Sequence, residues 1–199
     1  MRRTVRALCA LGVAAVALAL TSAPAGAWEN EEEQPLCDFL TGGGFIITEA
    51  SGMHPPAKAN FGVGGGCKHG SPTWGHLQYI DHGNALNVHW TAITAYLFVD
   101  QGEPSRGGQP TGTRRICGTA RTNLFGDVDF VVQAKDTGEP GRDDEFIIRL
   151  EKFGVEVYTT ERDSNRTLGG DGPGGGNIQL HKPNPSTTGS FGGSCPALP

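Results

Sequence analysis

Residues 74–100 read WGHLQYIDHGNALNVHWTAITAYLFVD. Both arms of this stretch are rich in Val, Ile, Thr, Tyr, Phe and Trp, which favour strands, and they predict β-strands over residues 74–81 and 86–99. The connecting residues 82–85 contain a Gly-Asn pair, which supplies the chemistry of a tight turn. The stretch therefore predicts a β-hairpin.

The second arm of this hairpin changes character along its length. At its start Leu86, Val88 and Trp90 alternate with polar residues. After Ala92 the alternation ends, and apolar residues occupy both faces of residues 93–99. A strand that begins half-solvated and ends buried on both faces is typical of a closed or two-layered β-structure.

Alternation with a period of two recurs along the rest of the chain, and Gly- and Pro-rich segments separate the strands. Helical periodicity does not extend beyond two turns anywhere after residue 27. The fold class predicted is all-β, an antiparallel β-sandwich or barrel of about eight to ten strands. The further strands are expected near residues 45–48, 58–63, 115–121, 127–134, 145–151, 155–157 and 178–180.

The first 27 residues have the three parts of a secretory signal peptide. Arginines at positions 2, 3 and 6 form a positive region, residues 7–20 are apolar, and residues 25–27 (AGA) form a small-residue cleavage site. Cleavage near Ala27 predicts a secreted, extracellular protein with no membrane span. The remaining chain is expected to comprise an acidic, flexible leader at 28–36, a single β-domain at 37–182, and a loosely held C-terminal tail at 183–199 pinned by Cys195.

The charge of the chain argues against nucleic acid as a partner. The formal net charge of −5 becomes about −8 once the three arginines of the signal peptide are removed. The sequence has no basic stripe that could follow a phosphate backbone. An unknown extracellular or cell-surface ligand is the expected partner.

Four cysteines remain after cleavage: Cys37, Cys67, Cys117 and Cys195. An even number of cysteines in an exported chain predicts two disulfide bonds, and their wide spacing argues against a zinc site made of four thiolates. Four cysteines allow three pairings. The pairing expected here is Cys37 with Cys195, tying the chain ends together, and Cys67 with Cys117, between neighbouring strands.

Six blocks in order resemble the post-COAP domain family, β-rich domains of exported bacterial proteins with no established function. The resemblance covers nearly the whole mature chain and implies fold and compartment, without an activity. Domains of that family are often attached to larger extracellular chains, whereas this chain is expected to be the domain alone. The blocks are CDFLTGGGFI (37–46), KANFGV (58–63), GHLQYIDHG (75–83), VHWTAIT (88–94), DTGEPGRDDEFIIRL (136–150) and GGGNIQLHK (174–182).

Histidines on the central hairpin raise the question of a metal site. His76 and His82 fall on one face of the first arm, and the turn at 82–85 places His89 opposite the region of Gln78. One hypothesis is a zinc or copper site of His76, His82 and His89, with Asp81 as a further ligand. The other interpretation, favoured because this spacing is not a diagnostic ligand pattern, is a solvated polar sheet face.

The acidic segment 136–144 (DTGEPGRDD) offers the oxygen ligands that hard cations prefer. A calcium site would use Asp136, Glu139, Asp143 and Asp144. The favoured alternative is a long hairpin turn in which residues 139–141 make the bend and the acids accept hydrogen bonds from nearby N–H groups.

Three aromatic residues of the hairpin, Trp74, Tyr79 and Trp90, are candidates for a sugar-stacking platform, although core or sheet-face packing is the favoured interpretation. No sequence feature diagnoses catalysis, and no cofactor is expected. The function expected is a non-catalytic binding or structural role at or outside the cell surface. The alternatives are a small metal-dependent hydrolase using the histidines and a carbohydrate-binding module.

Overall fold

The computed structural model describes residues 35–50, 52, 55–172 and 174–196. Ten strands form one antiparallel sheet in the order β9-β1-β2-β3-β4-β5-β6-β7-β8, with β10 paired to β4. The strands are β1 (Phe39–Thr48), β2 (Ala57–Gly66), β3 (Trp74–Asp81), β4 (Leu86–Phe98), β5 (Gly112–Thr122), β6 (Gly126–Asp136), β7 (Glu145–Lys152), β8 (Val155–Thr159), β9 (Gly176–His181) and β10 (Gly192–Gly193).

The predicted all-β fold class is confirmed, and the central hairpin lies where the sequence placed it. The pair β3–β4 is antiparallel, with Gln78 opposite His89. Leu86 and Val88 are buried while Asn87 and His89 are exposed, as the alternation predicted. The only helical element among the described residues is a 3-10 turn at Lys68–Gly70, and no helix in this part of the chain has the length and apolar character needed to cross a bilayer.

The sheet folds over on itself, so that its two ends face each other across one core. Phe61 of β2 stacks on Phe146 of β7 with ring centroids 3.9 Å apart. The hydroxyls of Tyr79 on β3 and Tyr158 on β8 are 2.6 Å apart, and Tyr158 donates to Asp81 at 2.8 Å. The sheet does not close into a cylinder, so the architecture is sandwich-like.

The outer edge of β9 is covered by carboxylates instead of a strand. Ile178 N donates to Asp144 Oδ2 at 2.7 Å, and Leu180 N donates to Asp136 Oδ2 at 2.6 Å. The second oxygen of each carboxylate accepts a hydrogen bond from a backbone N–H of the β6–β7 loop. Gly138 N donates to Asp136 Oδ1, and Thr137 N donates to Asp144 Oδ1. This loop therefore joins the β9 edge to β6 and β7, and it protects N–H groups that an unpaired edge would expose.

Replacing Asp144 with Asn is expected to destabilise this edge by about 1–3 kcal/mol, because an amide has one acceptor oxygen and would turn its NH₂ group toward a buried N–H. Burial raises the pKa of Asp144 above its usual value. Over a pH range just above 3.8, the Asp144 carboxyl is therefore protonated in the folded state and ionised in the unfolded chain. Within that range the free energy of unfolding falls as pH rises.

The difference in unfolding free energy between the parent protein and Asp144→Asn should consequently be largest near pH 4 and should narrow toward neutral pH. Urea unfolding of both proteins across this pH range measures it. The exposed neighbour Asp143 supplies the control variant Asp143→Asn, which should change neither stability nor its pH dependence. If the difference in unfolding free energy between the parent protein and Asp144→Asn increased with pH, the expected role of Asp144 would be contradicted.

The C-terminal segment is packed more firmly than the sequence predicted. Gly192 and Gly193 form β10 against Tyr96 and Ala95 of β4, beyond the part of β4 that pairs with β3. Phe191 stacks on Tyr96 with centroids 5.5 Å apart. Gly193 has a φ of 103°, and a side chain there would collide with the Thr94 carbonyl. The C-terminal segment therefore covers the second half of β4, which explains why that half is apolar.

Two disulfides form as predicted, but the expected pairing was wrong. Cys37 bonds to Cys67, with Cα atoms 5.9 Å apart, because β1 and β2 are neighbours and these residues flank the same end of the pair. Cys117 bonds to Cys195, with Cα atoms 5.3 Å apart, because β10 brings the tail beside β4 and β5. Two intramolecular disulfides fit an oxidising, extracellular environment.

A buried ion pair links the start of the domain to β5. Arg114 is fully buried, and its Nη2 donates to Asp38 Oδ2 at 2.7 Å. Its Nη1 donates to the carbonyls of Asp100 and Thr113, and Nη2 also reaches Gln101 Oε1 at 3.1 Å. Its Nε also donates to the Asp38 carboxylate, so every N–H of the guanidinium is satisfied, as burial of a charge requires.

The predicted signal peptide, residues 1–27, and residues 28–34 of the predicted leader lie outside the described residues. Within the described part, residues 35 and 36 precede the domain, and both are exposed.

Candidate functional site

The histidines of the central hairpin are exposed to solvent, and two of them, His82 and His89, bond to amide side chains. His89 Nδ1 is 2.7 Å from Gln78 Oε1, and Gln78 Nε2 donates to Asn87 Oδ1 at 2.7 Å. His82 Nε2 is 2.8 Å from Asn60 Oδ1. His76 is exposed and lies against Gly64 of β2. The expected proximity of His89 and Gln78 is confirmed, but each imidazole has a different neighbour.

Asp81, the fourth member of the metal hypothesis, faces the opposite side of the sheet. It is fully buried and accepts hydrogen bonds from Tyr158 Oη and from Gly83 N, the latter at 2.7 Å. Among the described residues no group of three or more His, Cys, Asp or Glu is arranged to hold a metal ion. A zinc or copper ion at His76, His82 and His89 therefore stays a prediction without support from this geometry.

The acidic segment 136–144 is engaged in the hydrogen bonds that cover β9. Asp136 and Asp144 accept backbone N–H groups, and Glu139 Oε1 accepts from Asn177 Nδ2 at 3.1 Å. Asp143 is exposed on the loop. The arrangement is the one expected of a hairpin turn whose acids accept N–H groups, so a calcium ion here also stays only a prediction.

The three aromatic residues do not share a surface. Tyr79 is fully buried in the core, and Trp90 is half-buried and packs against the same core. Trp74 is half-buried and lies beside Phe39 of β1 in an edge-on contact, with ring centroids 6.2 Å apart. A sugar-stacking platform of Trp74, Tyr79 and Trp90 therefore finds no support here.

An open groove of about 770 Å³ lies between the C-terminal tail and strands β4 to β8. The tail residues Ser194, Cys195 and Pro196 form one wall, and the Cys117–Cys195 disulfide anchors this wall to β5. Thr94, Gly118, Asp129, Arg149, Glu151, Gly154, Glu156 and Arg162 line the rest.

Three carboxylates lie side by side in the groove: Asp129 of β6 opposes Glu151 of β7, which opposes Glu156 of β8. Like charges directly opposite each other destabilise a sheet unless they are neutralised. Arg149, which is 1% exposed, bridges to Glu151 at 2.9 Å, and Arg162 bridges to Glu156 at 2.7 Å. The floor thus carries both signs of charge at fixed positions.

The β7–β8 turn carries two exposed apolar residues near the groove. Phe153 is 93% exposed and lines a smaller concavity that shares Asp129 and Glu151 with the groove, and Val155 is 64% exposed. Lys152 donates to the Phe125 carbonyl at 2.6 Å and thereby ties this turn to the β5–β6 turn. A charged floor beside a projecting aromatic ring offers both polar and apolar contacts to a ligand.

No pattern in the sequence predicts this groove. Alternation places Asp129 and Glu151 on the faces away from Phe130 and Leu150, which are buried. It does not predict that these faces become neighbours, because their alignment depends on the β6–β7 register, and the tail wall depends on the Cys117–Cys195 bond.

Comparisons with protein-family models, with curated proteins and with solved structures found no match to this chain.

Proposed function

We propose that this protein is an exported, non-catalytic binding domain that acts at or outside the cell surface and takes its ligand in the groove between β4–β8 and the C-terminal tail. The observation that carries the proposal is the covalently anchored wall of this groove, which faces a floor of fixed charges. A ligand site of this kind is concave and pre-formed, with a small number of placed polar groups. The signal-like N-terminus and the resemblance to exported bacterial domains support the location.

The composition of the groove indicates the kind of ligand. Arg149, Arg162 and the three carboxylates select for hydrogen-bonding and charged groups, while Phe153, in the adjoining smaller concavity, offers one apolar contact. An extended peptide or a saccharide chain combines these properties. The metal-dependent hydrolase gains no support from the separate positions of His76, His82 and His89.

Screening the domain against a glycan array and a random-peptide library, followed by titration of the best binder, tests the proposal. Asp129 is exposed in the groove, so Asp129→Arg reverses a charge that a ligand would meet. Loss of one charge-assisted contact is expected to weaken binding about tenfold or more. Asp143→Arg makes the same charge change on the exposed β6–β7 loop, at the other end of β7, and should leave the affinity unchanged.

Two results would contradict the assignment of the groove. One is equal binding by the parent protein and Asp129→Arg. The other is binding of a glycan that Trp74→Ala abolishes and Asp129→Arg does not affect. That result would place the binding site on the outer face of β1–β3. If the protein cleaved the ligand, and cleavage required both a metal ion and His76, the binding function would be rejected in favour of the metal-dependent hydrolase.

A further inference from the structure

A second site, apart from the groove, is formed by two aromatic rings around a lysine. The Nζ atom of Lys68 is 4.0 Å from the ring centroid of Phe39 and 4.0 Å from that of Trp74. The two rings are nearly perpendicular, with an interplanar angle of 89°. A cation is thus held against two π-faces at once, and we refer to Phe39 and Trp74 together as the aromatic clamp.

The strand register produces the clamp. His181, Phe39, Gly66 and Trp74 lie side by side across β9, β1, β2 and β3. Gly66 has no side chain, and a Cβ there would collide with Phe39. Gly66 therefore places no side chain between the two rings, and Lys68, two residues later, brings its Nζ against both of them.

The neighbours of the clamp hold its walls in place. His181 stacks on Phe39 with centroids 4.4 Å apart and an angle of 10°, so one face of the Phe39 ring is covered and the other faces the ammonium. His181 Nε2 is 2.8 Å from Thr41 Oγ1. The turn that carries Lys68 follows Cys67, which the disulfide to Cys37 fixes. The walls are therefore rigid, whereas the four-carbon stem of Lys68 is flexible.

The chemistry of the clamp distinguishes between kinds of ammonium. Aromatic faces attract cations through the ring quadrupole, and quaternary ammonium groups are recognised in this way. The primary ammonium of a lysine is strongly hydrated and regains water when it leaves the rings, whereas an alkylated ammonium is larger and less hydrated. Lys68 is half-buried, so its side chain can exchange with solvent.

We propose that the aromatic clamp binds an alkylated ammonium group and that Lys68 occupies the clamp in the free protein and leaves when such a ligand enters. The ligand class is that of choline, betaines and trimethylated lysine side chains. The site is distinct from the groove and its proposed function, and neither proposal depends on the other.

Titration with choline, followed by calorimetry and by the NMR signal of the Trp74 indole N–H, tests the proposal. Choline should shift the Trp74 signal in the parent protein. The Lys68→Ala variant should bind choline about two- to fivefold more tightly, because the competing cation–π contact of Lys68 is gone. A second titration uses a peptide that contains trimethyl-lysine. Comparing the two affinities shows whether a lysine side chain or a small headgroup fits the clamp better.

The chain offers a matched control in Lys58, whose Nζ lies 4.0 Å from one ring, that of Phe45. Lys58→Ala should bind choline as the parent protein does, since a single ring does not form a clamp. Asp129→Arg in the groove should also bind choline normally. Trp74→Leu should lose the binding, and its unfolding temperature shows whether the fold is kept.

The neutral isostere 3,3-dimethyl-1-butanol tests the charge requirement without any variant. It should bind at least tenfold more weakly than choline. Equal binding of the two compounds would overturn the proposal, since an apolar slot would then explain both. Choline affinity that Lys68→Ala leaves unchanged would overturn it as well.

Discussion

Arg114→Met is expected to destabilise the domain by about 3–5 kcal/mol, because it removes one partner of a buried ion pair and leaves the Asp38 carboxylate without its counter-charge. Asp38 is 3% exposed and Arg114 is fully buried, so water cannot take the place of the lost guanidinium. Tyr96 Oη still donates to this carboxylate at 2.6 Å, and burial keeps the pKa of that hydroxyl well above its usual value. Urea unfolding with both disulfides intact measures the loss.

The cost extends beyond the ion pair, since Arg114 also connects distant segments. Its guanidinium carbon lies 4.8 Å from the ring centroid of Phe98 and 5.4 Å from that of Phe191. It also bonds to the carbonyl of Asp100 in the β4–β5 loop. We therefore expect the variant to loosen the β4–β5 loop and the tail as well as to lower stability.

The double variant Arg114→Met with Asp38→Asn separates charge from packing. Asn keeps an acceptor for Tyr96 and carries no charge, so the double variant should be more stable than Arg114→Met alone. The two single changes should therefore be far from additive. Additive losses would mean that Asp38 and Arg114 contribute independently, contrary to their 2.7 Å contact.

Replacing Cys117 and Cys195 together with serine is expected to cost about 4–5 kcal/mol of stability, since the bond closes a loop of 78 residues. The change should also release the tail, because β10 contributes only Gly192 and Gly193 to the sheet. Limited proteolysis should then cut between residues 182 and 195, and ligand binding in the groove should weaken because one wall is lost.

The Cys37–Cys67 pair supplies the control for this prediction. Its removal opens a loop of 30 residues and should cost about 3–4 kcal/mol on the same chain-entropy argument. The tail should nevertheless stay resistant to protease, because the Cys117–Cys195 bond is kept. Equal cleavage of the tail in both double variants would show that the disulfide is not what holds it.

The amount that could be predicted differs between strands and sites. The hairpin of β3 and β4 has strong strand formers and a turn at 82–85, so its ends lay within one residue of the prediction. The face alternation of Asn87 and His89 was correct for the same reason. β10 could not be predicted, since a two-residue Gly-Gly strand has no pattern of its own and forms because Cys195 and Phe191 bring it to β4.

The candidate sites show the same division. The sequence predicted a solvated face for His76, His82 and His89, but imidazoles on one face bind a metal only if they converge. His89 and His82 instead bond to Gln78 and Asn60. The aromatic clamp had no sequence signal, because Phe39, Trp74 and Lys68 meet only through the alignment of three strands.

Alternation of apolar and polar residues is a local property, and from it followed the all-β class, the positions of most strands, and the buried and exposed faces of the central hairpin. The even number of cysteines predicted two disulfides. One exposed face was also expected for β7, and this was wrong, because both faces of β7 are buried. The pairing of the cysteines, the carboxylates over β9, the groove and the clamp required the folded chain. Each joins residues that are far apart in sequence, and strand order and register bring such residues together through core packing and tail docking that no single segment encodes.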